Sequence, residues 1–313
     1  MPQEKLLLTP DTLWEKIKQQ TQHALKCGAL QPIPTNYEFV EDGNIRFLVR
    51  ILSNLSRKED AQKQQEKQKV ATGKDFNPFL PYEQDLFVAD ISPTHLCLLN
   101  KYNVVDDHLL IITREFESQE NLLTLPDFQA LGACMAEFDS LAFYNSGKIA
   151  GASQRHKHLQ LVPLPLIPNA AMAANNPIKI PIDSAIASAQ FDGKVVGTIP
   201  DFGFQHALAK LDPSWVNYPV ESATTLLESY FALLEAVGIQ SGDQITEKLS
   251  GSYNFLATRE WMLVVPRIKE KFHNISVNSL GFAGAMLAKD REQMEIIKQN
   301  TPLTILGKVA PWK

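Results

Sequence analysis

The chain has 313 residues, of which 44% are hydrophobic, so it can bury a core large enough for one domain or for two closely joined halves. Its formal net charge is −5, with 30 Lys and Arg against 35 Asp and Glu. This balance excludes a global basic field that would recruit nucleic acid or an anionic membrane surface, so an anionic ligand must be bound by a local cluster. The three cysteines, Cys27, Cys97 and Cys134, are far apart, which fits a reducing cytosol better than a disulfide framework or a CxxC metal site.

The sequence contains no pattern typical of a membrane span or a targeting segment. The N-terminal stretch MPQEKLLLTP carries one run of three leucines. No apolar run approaches the roughly 20 residues that a bilayer-spanning helix needs. We therefore expect a soluble, cytoplasmic protein that binds neither a membrane nor nucleic acid.

The N-terminal part of the chain predicts a helix, a strand and a polar insertion. Thr9 as N-cap and Pro10 as the first helical residue predict a helix that ends at Gly28. In NIRFLVRIL, apolar residues from Ile45 to Ile51 alternate with polar ones, with Leu48 as the exception, which is typical of a strand with one solvated face. Residues 56–70, SRKEDAQKQQEKQKV, contain almost no apolar side chain. We therefore expect a charged, mobile insertion over 56–75 within a single domain that spans 1–313.

The middle of the chain is rich in strand patterns and carries a glycine loop. LFVADI, THLCLLN and HLLIIT, separated by short turns, predict an antiparallel sheet. The apolar spacing of PDFQALGACMAEFDSLAF predicts a helix from Pro126 to Ala142 that packs on this sheet. A loop with Gly147 and Gly151 follows, and the next strand contains His156.

Beyond Pro163 the chain alternates irregular and regular segments. Five prolines between 163 and 181 predict a long irregular connection. A helix is predicted over about 222–236, and SYNFLAT with WMLVVPR predicts a hairpin of strands. The stretch NSLGFAGAMLAKDREQMEIIKQ is predicted to be largely helical.

The stretch GASQRHKHLQLVPLP, residues 151–165, carries the most specific chemical pattern of the chain. Because successive side chains of a strand point to opposite faces, His156, His158 and Gln160 are predicted to share one face, with Lys157 on the other. HxH on a strand can bind a metal, but a metal site needs three or four ligands and the other histidines are scattered. Simple packing of the two rings is a second interpretation. A third is nucleophilic catalysis, because a neutral imidazole can attack phosphorus and form a covalent intermediate.

These residues belong to a larger pattern that resembles a known family. "HKHLQ", together with "DISPTHLCLLNKYNVVDDHLLIIT", resembles the histidine-triad superfamily, in the transferase branch where glutamine replaces the third histidine. "YNSGKIAGASQRHKHLQLVPLP", "SYNFLATREWMLVVPR" and "NSLGFAGAMLAKDRE" resemble the diadenosine tetraphosphate phosphorylases, also called ATP adenylyltransferases. The N-terminal "LWEKIKQQTQHALKCGAL" and "FLVRILSNLSRK" are similar as well, so the resemblance covers nearly the whole chain. It implies an α+β fold, with an antiparallel sheet of histidine-triad type and helices packed on it.

The activity that the resemblance implies is phosphorolysis of diadenosine 5′,5‴-tetraphosphate (Ap4A) to ADP and ATP through an adenylylated histidine. His158 would be the nucleophile, and His156 would help to fix its tautomer and orientation. Gln160 would hold a phosphoryl oxygen through its amide, which has no titratable proton. The implied ligands are Ap4A, ATP, ADP and inorganic phosphate, bound by a monomer. No protein-bound cofactor or metal site is expected, although Mg²⁺ can be carried by the polyphosphate.

The resemblance also implies a set of substrate-binding residues around this motif. Gly147 and Gly151 would let the backbone approach an anion, although the same loop can be an ordinary turn between a helix and a strand. Lys58, Lys101 and Lys289 would neutralise the tetraphosphate. Asp90 would bind ribose hydroxyls, or else cap a turn. The full implied set is Lys58, Asp90, Asn100, Lys101, Asn145, Gly151, Ala152, Ser153, Gln154, Gln160, Asn278, Ser279, Leu280 and Lys289.

Two other functions remain open at the level of sequence. A hexose-1-phosphate uridylyltransferase shares the HxHxQ motif, but it should carry proline between the histidines, where this chain has Lys157, and a set of metal-binding cysteines and histidines. A non-catalytic dinucleotide sensor would keep the pocket and signal through the charged insertion. A turnover assay with Ap4A separates the sensor from an enzyme.

Overall fold

The structure is a computed structural model, and it describes residues 5–53, 77–167, 178–239 and 251–313. The predicted charged insertion over 56–75 and the implied site residue Lys58 lie outside the described residues. None of the helices in the described ranges combines the length and the hydrophobicity that crossing a bilayer requires.

The strands of the described chain are short, apart from the first two. They are β1 Thr35–Asp42, β2 Ile45–Leu52, β3 Phe87–Asp90, β4 His95–Leu99, β5 Leu109–Thr113, β6 Ser140–Asn145, β7 His158–Pro163, β8 Val196–Gly197, β9 Ala207–Lys210, β10 Ser252–Ala257, β11 Trp261–Arg267, β12 Lys271–Phe272, β13 Ile275–Ser276 and β14 Ala285–Ala288. The α-helices are α1 Leu13–Cys27, α2 Leu125–Glu137, α3 Asp183–Ala187, α4 Pro219–Ala236, α5 Ser279–Phe282, α6 Arg291–Asn300 and α7 Pro302–Val309.

A nine-stranded sheet runs through the described chain in the order β3-β4-β5-β7-β6-β10-β11-β9-β8. Every neighbouring pair in it is antiparallel. Strand β7, which carries His158 and Gln160, is central and pairs with β5 on one side and with β6 on the other. The large antiparallel sheet with several helices confirms the predicted α+β class, and β3, β4, β5 and the β10–β11 hairpin confirm the predicted strands.

The two faces of this sheet bury different cores. On the back face, Leu159 and Leu161 of β7 pack in a cluster with apolar residues of α1, α2 and α4. On the front face, Val162 of β7 packs in a second cluster with residues of β2, α6 and α7. A smaller sheet, in the order β1-β2-β14, contributes Phe47 and Val49 to this front core. Side-chain alternation along β7 therefore places His158 and Gln160 on the front face.

The first helix begins later than the sequence predicts, although it ends at Gly28 as expected. Asp11 has a φ of 61°, so the backbone leaves the right-handed helical region immediately after Pro10. The helix begins at Leu13, and the backbone N–H groups of Asp11 and Leu13 donate to the carboxylate of Glu137, each at 2.9 Å. A residue more than 100 positions away therefore supplies the cap, which explains why the expected start at Thr9 and Pro10 was wrong.

The helix predicted over 126–142 is longer than the helix observed there. Helix α2 ends at Glu137, Phe138 is extended, and residues 140–145 form strand β6. This strand pairs with β7 on one edge and with β10 on the other. Its backbone N–H and C=O groups therefore form hydrogen bonds with strands on both sides. This pairing outweighs the local apolar spacing, which favours a helix as far as Ala142.

The C-terminal stretch is less helical than expected, because it contains strand β14 between α5 and α6. This strand pairs in parallel with β2, with Met286 opposite Val49. It begins after Gly284, which has a φ of 82° and stops the preceding helical turn. The free edge of a strand more than 200 residues earlier decides the conformation of this segment.

Candidate active site

The front face of β7 brings the polar side chains of the HxHxQ motif together. His158 lies opposite Ile112, and Gln160 lies between Leu110 of β5 and Phe143 of β6. The ring of Phe79 packs against both histidine rings in T-shaped arrangements, with centroid distances of 5.5 Å to His156 and 5.4 Å to His158. Because one aromatic ring reaches both imidazoles, the two histidines share one face of the sheet.

The ring of His158 has one protonated and one unprotonated nitrogen. Its Nδ1 lies 2.8 Å from the backbone carbonyl oxygen of His156, and a carbonyl can only accept, so Nδ1–H is the donor. Burial lowers the pKa of His158 to about 4, so the ring is neutral at pH 7 and Nε2 is unprotonated. Within the described ranges no side chain or backbone group forms a hydrogen bond with this Nε2. A neutral imidazole with a free lone pair is the form that attacks phosphorus.

The ring of His156 is held at both nitrogens. Its Nε2–H donates to the carbonyl oxygen of Thr113 at 2.8 Å, and its Nδ1 accepts from Asn77 at 3.0 Å. The orientation of the Asn77 amide follows from the backbone N–H of Phe79, which donates to Asn77 Oδ1 at 3.0 Å. His156 thus acts on the tautomer of His158 through its backbone carbonyl, while its own ring bonds to Thr113 and Asn77.

The carbonyl oxygen of Gln160 lies 3.0 Å from Nε2 of His108, the residue immediately before strand β5. The other ring nitrogen of His108 lies 3.2 Å from the amide nitrogen of Asn100, one of the implied substrate residues. No role was predicted for His108. Its position beside Gln160 depends on the register between β5 and β7, which the sequence does not fix.

Gln119 is a further residue that the sequence analysis missed. Its side-chain oxygen accepts the backbone N–H of His158 at 2.8 Å, and its amide nitrogen donates to the carbonyl of His158 at 3.2 Å and of Asn145 at 2.9 Å. The side chain therefore takes the place of a neighbouring strand at the residue where β7 begins. A buried glutamine in a loop has no local sequence signal that would reveal this contact.

The glycine loop lies directly against the segment that contains Asn278. Gly151 has a φ of 91°, and a Cβ at this position would lie 2.8 Å from the carbonyl oxygen of Val277. The backbone N–H groups of Gly151 and Ala152 donate within the loop, to Lys148 and Gly147. An anion could therefore use the N–H groups that follow, at exposed Ser153 and half-buried Gln154, rather than those of Gly151 and Ala152.

A buried polar network joins the glycine loop to the implied residues of the C-terminal part. Asn145 Oδ1 accepts from Asn254 Nδ2 at 2.8 Å and from the backbone N–H and the hydroxyl of Ser279 at 2.9 Å and 2.8 Å. Asn278 caps helix α5 by accepting the N–H of Leu280. The amide nitrogen of Asn145 has no hydrogen-bond partner among the described residues, so it remains available to a ligand.

Arg267 is the charged residue at the centre of this network. It donates from Nη1 to Asn254 Oδ1 at 2.5 Å and to the carbonyl of Val277 at 2.9 Å, and from Nη2 to the carbonyl of Lys269 at 2.7 Å. Burial lowers the pKa of Arg267 to about 9. No role was predicted for this arginine from the sequence. The structure shows that it connects β11, β10 and the loop before α5.

Of the implied charged residues, Asp90, Lys101 and Lys289 are described, and they lie at the surface, where the first two form ion pairs. Asp90, at the end of β3, pairs with Arg114, and Lys101 Nζ lies 2.6 Å from Glu83. Lys289 is exposed, and its Nζ has no partner within the described ranges. Exposed ion pairs are weak, about 0–1 kcal/mol each, so an incoming polyphosphate can replace these partners.

The described part of the chain contains one cluster of side chains that could together bind a metal ion. They are His23 and Cys27 of α1 and Asp85, all three exposed, with His23 Nε2 and Asp85 Oδ1 2.7 Å apart. This group contains no residue of the HxHxQ motif.

Comparisons with known proteins agree with this architecture. Residues 3–188 match the family model of the Ap4A phosphorylase N-terminal domain, and residues 200–311 match the ATP adenylyltransferase C-terminal domain. Diadenosine 5′,5‴-P1,P4-tetraphosphate phosphorylase 2 of Saccharomyces cerevisiae is 28% identical over 316 residues, which cover 94% of this chain and 92% of that protein. Protein APA1 of the same yeast is 27% identical over 219 residues, which cover 66% and 65% of the two chains.

A solved structure shows the same fold. The crystal structure of yeast Ap4A phosphorylase Apa2 in complex with AMP superposes with a TM-score of 0.73 at 24% identity, and the match covers 97% of this chain and 98% of that one. The two family models together include eight strands of the nine-stranded sheet, since β3 to β7 fall in the first and β9, β10 and β11 in the second, while β8 lies between the two matched ranges. The family and the nucleotidyltransferase class expected from the sequence are confirmed: the chain belongs to the Ap4A phosphorylase family.

Proposed function

We propose that the protein phosphorolyses Ap4A to ADP and ATP through an adenylylated His158. The observation that carries this proposal is the unprotonated Nε2 of His158, whose ring is kept neutral by burial and oriented by the His156 carbonyl. In the first step Nε2 attacks the α-phosphorus. A P–N bond forms, the bond from this phosphorus to the bridging oxygen breaks, and ATP leaves. In the second step an oxygen of phosphate attacks the same phosphorus, the P–N bond breaks, and ADP leaves.

Gln160 supports phosphate rather than water as the second acceptor. Its amide can donate to a phosphoryl oxygen but cannot take up a proton at neutral pH. A phosphate oxyanion needs no deprotonation before it attacks, whereas water benefits from a general base. The enzyme should therefore produce ADP and ATP in equal amounts, with retained configuration at phosphorus, because two in-line displacements cancel.

The remaining implied residues would bind the dinucleotide around this centre. The free amide nitrogen of Asn145 and the N–H groups near Ser153 and Gln154 would donate to phosphoryl oxygens. Lys101 and Lys289, together with Lys58, would supply positive charge for the tetraphosphate. Support for Lys289 comes from its exposed side chain, which no described residue engages. Asp90 would exchange Arg114 for ribose hydroxyls.

The proposal includes no resident cofactor. The motif itself offers imidazole and amide groups rather than the carboxylate oxygens that Mg²⁺ prefers, so a divalent ion would arrive with the polyphosphate. A monomeric enzyme in the cytoplasm also remains a prediction. Product profiles measured with and without Mg²⁺ test the need for a divalent ion, and the molecular mass in solution tests the monomeric state.

The covalent mechanism is tested by trapping the intermediate. Protein incubated with α-labelled Ap4A and no phosphate should release ATP in a burst and retain label on His158, in an acid-labile and base-stable linkage. Added phosphate should convert the label to ADP. Label at another residue, or no burst, would contradict the mechanism.

The product assay separates phosphorylase from hydrolase and from a sensor. Equal ADP and ATP, dependent on phosphate, supports the proposal, whereas AMP and ATP released at one rate with or without phosphate describes a hydrolase. Binding without turnover describes a sensor. His158→Ala should bind nucleotide but not turn it over, with an unchanged circular dichroism spectrum as the control for folding.

A further inference from the structure

We infer that His108 is a positioning residue that fixes the side-chain amide of Gln160 with its carbonyl oxygen turned inward and its NH₂ group turned towards the transferred phosphoryl group. This inference rests on the proposed function, because it takes Gln160 as a hydrogen-bond donor to substrate. The geometry itself is a property of the protein without ligand, and it can be tested separately.

The direction of the hydrogen bonds follows from one backbone group. The N–H of Tyr102 can only donate, and it reaches Asn100 Oδ1 at 3.4 Å. The amide nitrogen of Asn100 therefore faces His108 and donates to Nδ1 at 3.2 Å. Since Nδ1 accepts, the proton of the neutral ring is on Nε2, which donates to Gln160 Oε1 at 3.0 Å.

As a consequence, only the carbonyl oxygen of the Gln160 side-chain amide has a hydrogen-bond partner. Its oxygen accepts from His108, and its NH₂ group has no partner among the described residues. Gln160 is half-buried and shares the front face of β7 with His158, two residues away. The opposite tautomer of His108 would draw the NH₂ group inward and present the Gln160 oxygen to a phosphoryl oxygen, which is repulsive.

His108 itself has little freedom. It is 6% exposed, its backbone carbonyl accepts the N–H of Asn100 at 2.8 Å, and its ring packs against Phe143 with a centroid distance of 5.8 Å. Burial lowers the pKa of His108 to about 4, and the neighbouring His158 acts in the same direction. A neutral ring is required, because an imidazolium would present a donor to the donor of Asn100.

The tautomer can be measured directly in the ligand-free protein. Long-range proton–nitrogen correlation spectra of protein labelled with ¹⁵N-histidine report which ring nitrogen carries the proton, and His108→Gln identifies the signals of this ring. We expect a neutral, Nε2-protonated His108 at pH 7. A ring protonated at Nδ1, or a cationic ring, would overturn the inference and would leave the proposed phosphorolysis untouched.

Kinetics test whether the contact acts through Gln160. His108→Phe keeps the ring volume but removes the donor, and it should lower kcat at least about tenfold with a smaller change in KM, since one oxyanion donor is worth on the order of 10²–10³ in kcat. His108→Gln offers an amide near the position of Nε2 and should restore most of the rate. In a Gln160→Ala background, His108→Phe should change kcat less than about twofold.

Equal losses from His108→Phe with and without Gln160 would show a merely structural role and would overturn the inference. If His108→Phe does not fold, the tautomer measurement and the activity of His108→Gln decide the question. If wild-type protein shows no phosphorolysis of Ap4A at all, the proposed function fails. The spectra then still decide the geometry of His108 and Gln160.

Discussion

The two ring nitrogens of His158 differ in their hydrogen bonding. Nδ1–H is engaged by a carbonyl of the same strand, and Nε2 is left with its lone pair. Desolvation lowers the pKa to about 4 because a buried cation loses its hydration. This differs from the ordinary value of about 6.5, and it keeps Nε2 of His158, the proposed nucleophile, unprotonated over the whole neutral range.

The pH dependence of adenylylation should show this shift. Protonation removes the lone pair of Nε2 as the pH falls, so the rate of the first step should be constant from pH 8 to about pH 5 and should fall with an apparent pKa near 4. Single-turnover labelling without phosphate measures this step and avoids the ionisation of the acceptor. His206→Gln, which alters another buried histidine, should leave the profile unchanged. A midpoint near pH 6.5 would contradict the expected environment of His158.

At the scale of the element, strand β7 is fixed from behind as well as from the front. Lys157 is 1% exposed, and its Nζ lies 2.6 Å from Asp127 of α2 and 3.1 Å from Glu117. Burial alone would lower the pKa of Lys157, but the two carboxylates raise it above its ordinary value. Burial would likewise raise the pKa of Asp127, but Lys157 and His95 hold it below its usual range. A charged pair therefore links the start of strand β7 to the helix behind it.

Breaking this pair should cost much more than breaking one at the surface. Lys157→Met leaves a buried carboxylate without its cation, and we expect a loss of about 3–5 kcal/mol in the free energy of unfolding. Lys179, which pairs with Asp139 at the surface, is the matched control, and Lys179→Met should cost about 1 kcal/mol or less. Urea unfolding at pH 7 measures both. Similar small losses in the two variants would show that the buried pair contributes nothing beyond a surface pair.

The glycine loop before β7 offers a second comparison of this kind. Gly151→Ala places a methyl group 2.8 Å from the Val277 carbonyl at a φ of 91°, whereas Gly193→Ala has a φ of 72° and open space around it. Gly193→Ala should cost only the left-handed backbone penalty of about 1–2 kcal/mol. Gly151→Ala should cost more, and should also raise KM for Ap4A, because the loop must move away from Asn278. Equal stability and unchanged KM in both variants would argue against close packing of the two loops.

For the whole molecule, buried histidines predict sensitivity to mild acid. Burial lowers the pKa values of His108, His158 and His206 to about 4, and that of His156 is also lowered. A histidine whose pKa is lower in the folded state binds fewer protons than in the unfolded chain. The buried neutral ring therefore lowers the free energy of unfolding only below pH 6.5, where the unfolded chain takes up a proton that the folded protein does not, and this loss grows as the pH falls towards 4.

The free energy of unfolding should therefore decline between pH 6.5 and pH 4, by up to about 1.4 kcal/mol per pH unit for each ring. Asp127 does not contribute in this window, because its lowered pKa acts only below the ordinary value of 3.8. Urea unfolding at several pH values measures how steeply the free energy of unfolding changes with pH. His206→Gln should reduce the number of protons taken up on unfolding by about one. A free energy that is constant down to pH 4.5 would contradict neutral, buried rings.

The sequence determined those features that depend on short-range periodicity. The short apolar segments in HLLIIT and SYNFLAT were sufficient to predict strands β5 and β10, and alternation in HKHLQLVP predicted β7 and placed His156, His158 and Gln160 on the face opposite Lys157. Gly28 marked the end of α1. These patterns are local, because the direction of a side chain in a strand is set by the parity of its position.

The tertiary structure alone decided features whose partners are distant in the chain. Residues 140–145 and 285–288 are strands because free backbone groups of β7, β10 and β2 lie beside them, although local spacing favoured helix over 140–142 and 285–288. The roles of His108, Gln119 and Arg267 have the same origin, since each bonds to groups that meet only when the sheet forms. Periodicity fixes the face on which a polar side chain lies. Which partner it meets, and with which proton, depends on strand register and on the burial of groups far apart in the sequence.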